Sequence, residues 1–163
     1  MAASATDTGS SGATACGFAM PALVTDAATG GAVWRDVELP EEERGGMVLS
    51  PAQQLGPDMR LRRSAEGYST DFHYAVPSGG GPPVLILVLQ GQLAIVSRSA
   101  EGSAERIFGP GEYFVAADVA PAGSSVGGHS ATVPVGSGEL LAAHIKLHPS
   151  RLAEWFPTGV LLT

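Results

Sequence analysis

The sequence predicts an all-β fold, a single jelly-roll β-barrel, and three observations predict it. Apolar residues recur in short runs at fairly even spacing, each closed by turn residues. The 22 glycines and 12 prolines supply those turns. Helical periodicity is almost absent outside one short stretch near the C-terminus. With 163 residues and 44% hydrophobic content, the chain is about one domain long and can bury a real core. A jelly roll is the natural antiparallel closure at that length.

Residues 1–20 are mostly Ala, Ser, Thr and Gly and carry too few large apolar side chains to offset ordering, so a disordered tail is expected there. The one cysteine, Cys16, falls in it, which excludes an internal disulfide and a multi-thiolate metal site. The barrel is assigned to residues 21–149. Residues 32–39 roughly alternate and stop at Pro40, as a strand would. Glu41-Glu42-Glu43-Arg44 reads as a charged, solvated turn before a short strand at 47–49. Met59-Arg60-Leu61-Arg62 alternates, with the arginines expected outward. A strand at 70–75 ends at Pro77 and the flexible run Ser78-Gly79-Gly80-Gly81-Pro82-Pro83.

Residues 84–89 are apolar throughout, so both faces of that strand should be covered. Gln90-Gly91 reads as a tight turn, with 92–98 folding back as the hairpin partner. Strands at 106–108, 113–116 and 139–147 are separated by turns at Gly109-Pro110-Gly111 and Pro121-Ala122-Gly123. Residues 150–163 form a short C-terminal helical extension, with a helix starting at Ser150 and stopped by Pro157.

Nine basic residues against 16 acidic ones give a net charge of −7, which repels phosphate backbones and anionic membrane surfaces. Neither nucleic acid nor membrane is an expected partner. No positive charge precedes an apolar run at the N-terminus, and the longest apolar stretch is too short to span a bilayer. A cytoplasmic protein is expected. The phosphate-binding loop and HExxH motifs are absent.

Two segments carry a family resemblance. Val88-Leu89-Gln90-Gly91-Gln92-Leu93-Ala94-Ile95-Val96 resembles the hairpin that ends the first cupin motif. Phe108-Gly109-Pro110-Gly111-Glu112-Tyr113-Phe114-Val115, followed by Pro121-Ala122-Gly123, resembles the second. Upstream, Trp34-Arg35-Asp36-Val37-Glu38-Leu39-Pro40 and Gly67-Tyr68-Ser69-Thr70-Asp71-Phe72-His73 are similar to the leading strands of small single-domain bacterial cupins. The resemblance implies a cupin-type jelly roll with a pocket between its sheets, often assembled as a homodimer.

The departures from that pattern direct the functional reading. Cupin metal sites usually draw two His and a Glu from the first motif and a His from the second. Here the resemblance supplies only His73. Ala75 and Val84 stand at two ligand positions, and Val126 or Ser124, depending on the alignment, stands at the last. One imidazole without a carboxylate does not hold a divalent ion against water, so no metal and no cofactor are expected. His129 could join His73 if residues 124–128 loop back, which would still give only two donors.

His73 is the leading acid/base candidate. Apolar alternation would turn Phe72 and Tyr74 inward and His73 outward, whereas the resemblance points His73 into the barrel, and the resemblance is followed. Asp71 shares its face and could orient the imidazole. Tyr68 and Tyr113 could donate phenol hydrogen bonds to a ligand, and Val84, Ile86, Val88, Ser124 and Val126 would line its pocket. His144 is expected outward, His148 solvated, and Asp118 in a turn-capping role. The function implied is a metal-independent barrel that binds a small, largely apolar or aromatic molecule. The alternative is an isomerase, cyclase or lyase of polyketide-like metabolism using His73, and a metal-dependent dioxygenase is least favoured.

Overall fold

The computed structural model describes residues 18–45, 47–50, 55–77, 80–122 and 127–160. Cys16, Ser124 and Val126 lie outside the described residues, as do residues 78 and 79 of the glycine-rich run.

The architecture is all-β in two facing sheets, with one short helix. The chain enters at β1 (Phe18–Thr25), whose first residues fall within the stretch read as tail. It turns on Asp26, whose carboxylate accepts the Ala28 and Thr29 N–H groups at 3.1 and 2.9 Å. The chain then returns as β2 (Ala32–Leu39), antiparallel to β1 along its full length. The charged run is not a turn. β3 (Glu42–Arg44) pairs with β4 (Met47–Leu49), and the turn is made at Gly45, with φ +59. A Gly-Gly pair between short extended runs is a hairpin signal that outweighs the charge.

β5 (Leu55–Ser64), β6 (Val84–Gln90), β9 (Tyr113–Ala117) and β11 (Leu140–Leu147) complete a six-stranded sheet in the order β2-β1-β9-β6-β11-β5. β7 (Leu93–Ser99), β8 (Gly102–Phe108) and β10 (His129–Thr132) make the second sheet, ordered β10-β7-β8. The expected hairpin across Gln90-Gly91 does not form. β6 pairs with β9 and β11, while β7 pairs with β8 and β10, so this turn carries the chain from one sheet to the other. Gly91, at φ +74, is required there, because a Cβ would lie 2.6 Å from the Glu139 carbonyl.

Residues 70–75 are likewise not a continuous strand. Residues 69–76 touch β10 and Val119 through single bridges, Ser69 to Thr132, His73 to His129 and Val76 to Val119. The Thr70 hydroxyl accepts the Ala131 N–H at 2.9 Å in place of a main-chain carbonyl, which interrupts the ladder.

Two cores follow from this arrangement. Between the sheets, Leu23, Ile86, Val88, Phe114 and Ala142 meet Leu93, Ile95, Phe108 and Val133. One end is filled by aromatics, with Phe114 stacked on Phe108 at 4.4 Å and edge-on to Trp34 at 5.6 Å. Behind the large sheet, Met20, Ala22, Val24, Val115 and Leu147 pack against Leu152 of α1 (Ser150–Trp155), with Trp155 alongside. The helix has Pro149 at its N-cap and no side-chain cap, so Ser150 does not cap it as expected.

The large sheet is therefore apolar on both faces, and alternation does not tell inside from outside. On β5 the arginines Arg60 and Arg62 are exposed as expected, but so are Met59 and Leu61, each 63% exposed, and Arg62 also lines the space between the sheets. Among the described residues, no helix is long and apolar enough to cross a membrane.

Candidate functional site

Between the sheets lies a cavity of ≈ 190 Å³. Its walls are apolar. β6 contributes Val84 and Ile86, β7 contributes Leu93 and Ile95, and Ala116, Ala131 and Leu140 close the sides. Polar groups gather toward one side: Arg62 and Ser64 from β5, Tyr68, Thr70 and His73 from the irregular segment, His129 from β10 and His144 from β11.

Of the residues expected at the site, Tyr68, His73, Val84 and Ile86 line this cavity. Val88 is fully buried in the core beside it, and Tyr113 stands on the outer face of β9 in register with Leu87. Asp71 is exposed, and its contact with His73 runs through its main-chain carbonyl, which accepts from Nδ1 at 2.9 Å. The expected imidazole–carboxylate dyad of His73 and Asp71 is therefore not formed. The donation fixes the tautomer of a neutral His73, leaving Nε2 as the acceptor.

The dyad that does form joins Asp118 and His129. Asp118 is fully buried, and its Oδ2 lies 2.9 Å from His129 Nδ1. Its Oδ1 accepts the Ala75 N–H at 3.3 Å. A carboxylate in an apolar core persists only with such partners. Its role is not turn capping. It holds the His129 ring with Nδ1 toward the carboxylate, so Nε2 is the edge left to the cavity that His129 lines.

His129 reaches this position through a reciprocal main-chain bridge to His73, with N···O distances of 2.9 and 2.7 Å. The bridge brings the two rings to 4.5 Å. It depends on Gly128, at φ +78, where a Cβ would collide with the His73 carbonyl. The sequence carried a signal for Asp118 that local reading passes over: it is the one carboxylate in an apolar run from Phe114 to Ala120.

His144, expected outward, is half-buried and lines the cavity. Leu147 packs behind the sheet, while Leu140 and Ala142 belong to the core between the sheets, on the side from which His144 reaches the cavity. Burial and then the nearby Arg62 charge hold the His144 pKa below its usual 6.5, so its neutral form is favoured.

Three of the four histidines thus line one cavity. Yet among the described residues no three His, Cys, Asp or Glu side chains are placed to hold a metal ion. The Nδ1 atoms of His73 and His129 are held by the Asp71 carbonyl and the Asp118 carboxylate, which leaves the Nε2 atoms as the free ring nitrogens, and Val84 adds an alkyl group to the lining.

No family model and no curated protein matches the chain. The solved structures to which it is similar include cupin domains. The CENP-C cupin domain of Drosophila melanogaster is 11% identical, with a TM-score of 0.41 over 67% of this chain and 75% of that one. A cupin 2 conserved barrel domain protein from Leptotrichia buccalis is 19% identical, with a TM-score of 0.39 over 66% of this chain and 44% of that one. A sugar phosphate isomerase of the cupin superfamily from Silicibacter pomeroyi is 21% identical, with a TM-score of 0.37 over 55% and 49%.

Proposed function

We propose that the chain is a metal-independent barrel that binds a small, largely apolar or aromatic molecule between its sheets. The observation that carries this reading is the cavity: ≈ 190 Å³, walled by Val84, Ile86, Leu93 and Ile95, with its polar groups confined to one side. An apolar protein cavity of about 150 Å³ accepts benzene, so this one suits a single ring with a small substituent. Ligand sites commonly combine apolar walls with a few placed polar groups in this way.

The test is calorimetric titration of chelator-treated protein with benzyl alcohol, beside an Ala131→Phe variant that fills the cavity from β10. Saturable binding by the parent chain, lost in the folded variant, is the expected result. Equal binding by both would place the ligand elsewhere and contradict the reading.

An enzyme of the isomerase, cyclase or lyase kind is the second reading, and the Asp118–His129 pair favours it. A buried carboxylate that orients an imidazole leaves the far nitrogen able to take a proton from a carbon acid and return it. His73, 4.5 Å away, is a second candidate for the same role. The probe is exchange of the benzylic hydrogens of phenylpyruvate into deuterated water, followed by proton NMR. The enzyme reading expects exchange above the buffer rate, reduced about a hundredfold in His129→Gln or His73→Gln. Exchange at the buffer rate would contradict it.

A further inference from the structure

Arg62 is placed differently from most basic side chains of this acidic chain. Arg35, Arg63, Arg106, Lys146 and Arg151 each lie within 3.8 Å of an acidic oxygen. No such pair among the described residues includes Arg62. Its guanidinium instead lies over the Tyr68 ring, 5.0 Å from the centroid, and donates to the Tyr68 hydroxyl at 2.7 Å. Both residues line the cavity, as does His144, and no carboxylate among the described residues lines it. In a chain with 16 acidic residues, an exposed arginine at an apolar cavity, with no acidic partner among the described residues, offers paired donors to an anion.

Building on the cavity reading above, we infer that the ligand is a small carboxylate, with its ring among Val84, Ile86 and Ile95 and its carboxylate on Arg62 and Tyr68. The guanidinium presents paired donors in a plane that matches a carboxylate. The Tyr68 hydroxyl, which accepts from Arg62, can turn its own hydrogen to the same anion. His144 in its neutral form adds a hydrogen-bonding group without a competing charge. The single-ring volume bounds the ligand, making an aryl or similarly sized unsaturated monocarboxylate the fitting class.

Titration with benzoate and benzyl alcohol tests this in the parent chain and in Arg62→Met, which keeps an aliphatic stem on the edge strand. Benzoate is expected to bind the parent chain more tightly than benzyl alcohol. Arg62→Met should weaken benzoate by about ten- to a hundredfold and leave benzyl alcohol within about twofold. Retained benzyl alcohol binding shows that the variant's cavity is intact. Tyr68→Phe should give a smaller loss confined to benzoate. Benzoate binding no tighter than benzyl alcohol, or unchanged in Arg62→Met, overturns the carboxylate assignment while the cavity reading stands. Failure of both ligands to bind the parent chain overturns the cavity reading and this assignment with it.

Discussion

Asp118→Ala is expected to destabilise the fold by about 3 kcal/mol, the cost of leaving buried donors without the acceptor they are bonded to. The carboxylate is fully buried, and its loss leaves His129 Nδ1 and the Ala75 N–H without acceptors in the core. Urea denaturation would measure it. The double variant Asp118→Ala with His129→Leu should recover part of the loss, because no imidazole then remains buried without its partner. A cost below about 1 kcal/mol for Asp118→Ala would show that the pair is solvated and does not anchor the cavity.

Phe114→Ala is expected to cost about 3–5 kcal/mol, and to lower the melting temperature by roughly 10 °C or more. Phe114 is fully buried, is stacked on Phe108 at 4.4 Å and meets Trp34 edge-on at 5.6 Å. It bears on the site because Phe114 and Phe108 stand across from Ile86 and Leu93, which line the cavity. Its removal opens a void next to the existing space. Phe114→Leu should cost less, since most of the volume is kept. A loss under about 1 kcal/mol for the alanine variant would mean that the two sheets do not depend on this contact for closure.

Local pattern made much of the fold legible. Residues 32–39, 84–90 and 140–147 are strands because β-branched and aliphatic runs end at Pro40, Gly91 and His148-Pro149. Strand partnership was not legible in the same way. A Gln-Gly turn looks the same whether its flanking strands pair with each other or pass into opposite sheets, and only the approach of Gly91 to Glu139 distinguishes the two. β10 was missed because its four residues, His129–Thr132, carry no apolar run.

Face assignment failed for a physical reason. A strand covered on both sides has no solvent face, so the more apolar side need not be the barrel interior. On β11 Leu147 packs behind the sheet, and the half-buried His144 lines the cavity. The edge strand β5 is exposed at Met59, Leu61 and Arg62 alike, so alternation carries no face there. For His73, alternation and resemblance disagreed, and the residue is both exposed and part of the cavity lining. The dyad was assigned to the wrong pair because sequence proximity favoured Asp71, two positions from His73, over Asp118, eleven from His129.

Methyl-resolved NMR of chelator-treated protein titrated with benzyl alcohol tests the central claim most directly. Binding between the sheets predicts shifts in the methyls of Val84, Ile86, Leu93 and Ile95, with Val24, Val115, Leu147 and Leu152 behind the large sheet unmoved. Shifts confined to that outer group, or shifts at the cavity methyls only after a divalent metal is restored, would contradict the account.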